Sequence, residues 1–97
     1  MPTPALRAIL EDGQTHDDPS EYALFVLLED IAAGEIRWLI VEKVSDGSGH
    51  TYVQVLGLSD GSFQVERRRG SAASHEAAPP RALREAHQTL TRWASGL

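Results

Sequence analysis

The chain reads as an α+β domain, a three-stranded antiparallel meander with amphipathic helices flanking it in sequence, in the order α-α-β-β-β-α. Three observations predict this. Residues 37–69 hold three runs rich in β-branched and aromatic side chains, separated by Ser45-Asp46-Gly47-Ser48-Gly49-His50 and by Ser59-Asp60-Gly61. The residues before and after those runs carry apolar side chains at helical spacing. The 97 residues, 41% hydrophobic and 24% charged, suffice for one core and are too apolar for a disordered chain.

Taken in order, Thr3-Pro4 caps and starts a short helix with Leu6, Ile9 and Leu10 on one face, and Gly13 stops it. Gln14 to Asp18 is a polar connection, so residues 1–18 form a short helix and a linker. Asp18-Pro19-Ser20-Glu21 then starts a longer helix, with Asp18 as cap, Pro19 at the first position and Glu21 as reciprocal partner. Its apolar band (Tyr22, Leu24, Phe25, Leu27, Leu28, Ile31, Ala32) is broad, and Gly34 ends it. After the meander, residues 70–78 are a flexible small-residue loop. Pro79-Pro80 opens a last helix with Leu83, Ala86, Leu90, Trp93, Ala94 and Leu97 in a stripe. Residues 1–97 form a single domain without an internal repeat.

The turns set an expected register. A two-residue turn at Asp60-Gly61 opposes Leu58 to Phe63 and Leu56 to Val65. Leu56, Leu58, Phe63 and Val65 then share one face, joined by Leu39 and Val41 if Ser45 opposes His50. Trp38, Ile40, Val44, Val53 and Val55 fall on the other. That second apolar face needs a cover: the last helix, or a second molecule if both long helices share the first face. Trp38, Ile40, Val53 and Val55 are therefore the candidate interaction surface.

Composition excludes more than it assigns. No cysteine is present, which removes disulfides, thiolate metal sites and a cysteine nucleophile. No basic leader follows Met1 and no run nears the roughly 18 apolar residues of a membrane span, so the expected location is the cytoplasm, with no membrane partner. Residues 1–60 hold eleven acids against Arg7, Arg37 and Lys43, and residues 61–97 hold six arginines against Glu66, Glu76 and Glu85. The halves are -8 and +3, summing to the chain's -5.

Candidate chemistry is sparse. His16-Asp17-Asp18 offers ligand types, yet adjacent residues at a helix start need distant partners to enclose an ion, so no metal is expected. Gly47-Ser48-Gly49 lacks the lysine and following helix of a phosphate-binding loop. No nucleophile elbow is present, and Ser74-His75-Glu76 are merely neighbours in sequence. The carboxylate pairs Glu11-Asp12, Asp17-Asp18 and Glu29-Asp30 lie at helix ends or on wet faces, where nothing perturbs them for acid–base work. No catalytic residue, cofactor or enzyme activity is read. Helix, three strands and helix is also the order of double-stranded-RNA-binding domains, but their lysine-rich segment is replaced here by Ala78-Pro79-Pro80-Arg81. An acidic chain offering Arg67-Arg68-Arg69 supplies few phosphate contacts, so nucleic acid is the second reading.

The same order of elements, with Thr51-Tyr52-Val53-Gln54-Val55 followed by Asp60-Gly61-Ser62-Phe63-Gln64-Val65-Glu66, resembles the type III secretion chaperone-like superfamily, including its actinobacterial peptide-binding members. The resemblance covers residues 19–97, and the strands that family adds after its second helix are missing. It implies a non-catalytic, chaperone-like α+β module that forms homodimers or holds a peptide. The function expected from the sequence is accordingly a protein-interaction module, with a protein or peptide as partner and self-association.

Overall fold

In the computed structural model, which describes residues 4–44, 51–69, 71–77 and 81–95, the elements run β-β-α-β-β-β-β-α. They are β1 (Leu6–Leu10), β2 (Thr15–Asp17), α1 (Glu21–Ala32), β3 (Trp38–Lys43), β4 (Tyr52–Gly57), β5 (Phe63–Arg69), β6 (Ser71–Ala77) and α2 (Leu83–Ser95). Six strands form one sheet in the order β2-β1-β3-β4-β5-β6, and every neighbouring pair is antiparallel. The class is α+β, but the three-stranded meander and the order α-α-β-β-β-α are overturned at both ends.

At the N-terminus the expected helix is a hairpin, because Leu10-Glu11-Asp12-Gly13-Gln14 is a turn rather than a helix stop. Gly13 donates its N–H to the Leu10 carbonyl (3.0 Å), Leu10 donates to Gln14 (2.9 Å), and Gly13 takes φ +90°. Asp12 Oδ1 accepts the Gln14 N–H at 3.0 Å. This is a type I turn closed by a left-handed residue, the three-residue hairpin loop. β1 then pairs with β3, Ile9 opposite Ile40 and Ala8 opposite Val41. Asp18 is not the helix cap. It sits at φ 47°, and its Oδ1 accepts the amides of Ala5 (2.9 Å) and Leu6 (3.0 Å), tying the start of β1 to the end of β2. The capping role falls to Ser20, whose Oγ accepts the Ala23 N–H at 3.0 Å.

The same turn recurs at Leu58-Ser59-Asp60-Gly61-Ser62. Gly61 donates to Leu58 (3.1 Å), Leu58 donates to Ser62 (2.9 Å), and Asp60 Oδ1 accepts the Ser62 N–H (2.9 Å). The loop is therefore three residues long, not two, and the expected register slips by one. Val55 opposes Val65 and Gly57 opposes Phe63. Leu39 likewise opposes Val55. A one-residue slip turns every side chain of a strand over, so Val53 and Val55 face the helices while Leu56 faces away. Within the stretch expected as a loop, Ser71–Ala77 form the edge strand β6, with Arg67 opposite Glu76 and an irregular register between Arg67 and Arg69. The Ser45–His50 turn, Pro79-Pro80 and Leu97 lie outside the described residues.

Both helices cover the same face. The buried cluster takes alternate residues from four strands (Ala8 and Leu10, Leu39 and Val41, Val53 and Val55, Phe63 and Val65) and joins them to Leu24, Leu28, Leu90 and Trp93. α1 ends at Gly34 (φ +81°) in paired bonds from Gly34 to Ile31 (3.0 Å) and from Glu35 to Asp30 (2.9 Å), which satisfy the last carbonyls. α2 is started by Glu85 Oε2 accepting the Ala82 N–H at 2.9 Å, and is pinned to β5 where Phe63 and Arg81 exchange backbone bonds of 2.7 and 2.9 Å. The helices are joined at His87. Its Nε2 donates to the Glu21 carbonyl at 2.8 Å, and its ring stands edge-on to Phe25 at 5.3 Å. The histidine is structural, as its place at the edge of the apolar stripe suggests.

Candidate interaction face

With both helices on one side, the other side of the sheet has no internal cover among the described residues. Strand pairing places its side chains in rows. Ile9, Ile40, Gln54 and Glu66 lie across β1, β3, β4 and β5, with Trp38, Leu56 and Gln64 in the next row. Trp38, Ile9 and Ile40 are half-buried, and Leu56 is 37% exposed, well above its buried neighbour Val55. The structure thus divides the candidate surface read from sequence. Trp38 and Ile40 are on the open face, whereas Val53 and Val55 are fully buried beneath the helices. Ile9 and Leu56 take their places. The signal for both was present: Leu-x-Asp-Gly followed by a polar residue occurs at Leu10–Gln14 and again at Leu58–Ser62.

One end of this face is charged in alternation. Asp17, Arg7, Glu42, Tyr52 and Arg68 follow one another across five strands. Arg7 Nε donates to Asp17 Oδ1 at 2.8 Å, and this bond, more than the added charge of Glu42, holds the guanidinium pKa above its ordinary value. The acids Asp17, Glu42 and Glu66 against Arg7 and Arg68 leave the face at -1, while the chain as a whole carries -5. Arg68 Nε is covered and has no hydrogen-bond partner among the described residues, a donor left open at this end of the face.

No family model matches this chain, no curated protein matches it, and no solved structure matches it. With four strands rather than three between the helices, the likeness to the type III secretion chaperone-like superfamily loses its shared order of elements and rests on the Thr51–Val55 and Asp60–Glu66 residues alone.

The remaining candidates resolve into structural roles. Asp17 pairs with Arg7 and Asp18 holds two amides, leaving His16 exposed on the edge strand. Among the described residues no three or more histidines, aspartates and glutamates converge on a point that could hold a metal ion. Glu11 receives the Arg37 N–H (2.8 Å) and Nε (2.7 Å), and those bonds hold its carboxyl below the ordinary glutamate range. The arginine cluster is split by strand alternation: Arg67 turns to the helix side and bonds Glu76 at 3.0 Å, while Arg68 turns to the open face. No described helix is long and apolar enough to cross a membrane.

Proposed function

We propose that this chain is a non-catalytic protein-interaction module whose open sheet face docks against the same face of a second copy. The observation that carries this reading is the placement of α1 and α2 on one side, which leaves Ile9, Trp38, Ile40 and Leu56 as an apolar centre without a cover among the described residues. Two antiparallel sheets pack well face to face, aligned at about -30° because each is twisted, with side chains interdigitating.

Size and charge favour a copy as the occupant. Strands about 4.8 Å apart and about 3.3 Å of rise per residue give a face on the order of 500 Å² in projection. The molecule's 38 × 31 Å extents accommodate that. Side-chain relief raises the accessible area toward the roughly 800 Å² per partner of a standard interface. A chain at -5 repels its own copies in general. Here the charges of the row from Asp17 to Arg68 balance one another and most of the chain's charge lies off this face, so like faces meet with little local repulsion. The resemblance to dimerising, peptide-holding chaperones points the same way, with an extended peptide as the competing occupant.

The test is a pair of substitutions of the same chemistry on opposite faces. Ile40→Glu is expected to give a folded monomer, with the circular dichroism of the parent and half its mass by light scattering. Val55→Glu is expected to unfold the chain, since Val55 is wholly buried. An unfolded Ile40→Glu variant, or one that keeps the dimer mass, contradicts the reading. A monomeric parent that binds an extended peptide on this face replaces the second copy with a peptide.

A further inference from the structure

On the helix side of the sheet, the row of buried side chains on β5 ends in a charge. Phe63 and Val65 face the helices, and Arg67 is the next residue of that row. α2 passes over it, and Arg67, Thr89, Arg92 and Trp93 line a notch of about 250 Å³. Thr89, Arg92 and Trp93 stand at i, i+3 and i+4, so one stripe of the helix presents all three. Trp93 is 6% exposed and forms part of the wall, while Arg92 reaches into solvent.

Arg67 uses Nη2 to reach Glu76 Oε2 at 3.0 Å, which leaves the other donors of its guanidinium fork. Arg92 has no carboxylate partner among the described residues. Two arginines and a threonine thus line a small space, and among the described residues Glu76 is the carboxylate bonded to one of them. We infer that this notch binds one phosphate-sized oxyanion, held between Arg67 and Arg92 with Thr89 as a third donor. Planar guanidinium forks match the oxygen spacing of phosphate and carboxylate better than any other side chain does. The volume is below the roughly 300–1,000 Å³ of pockets that enclose drug-sized ligands, so the notch takes an anionic group and not a whole nucleotide. It lies on the opposite side of the sheet from the proposed dimer face and stands independently of it.

Trp93 provides the readout. The chain has two tryptophans, so in a Trp38→Phe background, excited beyond the absorption of Tyr22 and Tyr52, Trp93 alone fluoresces. Titration with inorganic phosphate at low ionic strength is expected to give a saturable change, half-complete at about 1 mM. Chloride at matched ionic strength should not reproduce it. Arg92→Gln should weaken the response about tenfold, with melting temperature held as the check on folding. Glu76→Gln should strengthen it, because the carboxylate that competes for Arg67 is gone. A simple phosphate monoester tested alongside separates the sources: tighter binding than inorganic phosphate means the group arrives on a carrier, equal binding means the free anion. A response that does not saturate, that chloride reproduces, or that survives Arg92→Gln unchanged overturns the site.

Discussion

At the scale of single residues, Phe63 and Leu56 make opposed predictions. Phe63 is 1% exposed beneath the helices, and Phe63→Ala should cost about 3–5 kcal/mol. Leu56 points the other way, and in the monomer Leu56→Ala should stay within about 0.5 kcal/mol of the parent. Urea unfolding of both variants in an Ile40→Glu background checks this, and comparable losses would mean the register of β4 is wrong. Gly57 is set by close approach: a Cβ there would lie 2.6 Å from Ile31 Cγ2. Gly57→Ala should therefore cost about 1–3 kcal/mol, and adding Ile31→Ala should cost less than the sum of the two single changes. Strict additivity would argue against the contact. Glu11 has a folded pKa below its unfolded one, through its bonds to Arg37. Its contribution is complete above the ordinary glutamate range and is lost as pH falls through the depressed folded value. Glu11→Gln should flatten that part of the acid limb in urea titrations at stepped pH, and an unchanged slope contradicts the bond.

At the scale of elements, the two Leu-x-Asp-Gly turns decide the architecture. Each puts a glycine at positive φ, Gly13 at 90° and Gly61 at 87°. Gly13→Ala and Gly61→Ala should each destabilise by about 1–2 kcal/mol, the cost of a left-handed conformation with a Cβ. The core-facing sides of β3 and β5, the two helices and the end of α1 at Gly34 are all legible in the sequence, because each rests on periodicity or on a local stop. The side that β4 presents is not, because it depends on whether the Asp60-Gly61 loop holds two residues or three, and both readings leave an apolar row on each side. Leu6–Leu10 misleads for a related reason. Five mostly apolar residues fit a helix or a strand, and only pairing with the distant strand β3 selects the strand. β6 is beyond local reading altogether: serine and alanine have little strand preference, and its pairing with β5 comes from tertiary context.

At the scale of the whole molecule, the division of labour is between two faces of one sheet. The helices and their core take one, and the Trp38–Ile40 side is left as a nearly neutral, partly apolar surface on an acidic chain. The sequence predicts a second apolar face and assigns Trp38 and Ile40 to it, where the structure places them. It placed Val53 and Val55 there as well, through the one-residue slip. Because the charged row is balanced internally, association through this face should depend little on salt, in contrast to an interface steered by net charge. The central claim is that the open face meets its own copy, and sedimentation of the unmodified chain across a concentration series tests it most directly. The predicted result is a reversible monomer–dimer equilibrium reaching the dimer mass, at low and high salt alike, and abolished by Ile40→Glu. A single monomeric species at every concentration would contradict it.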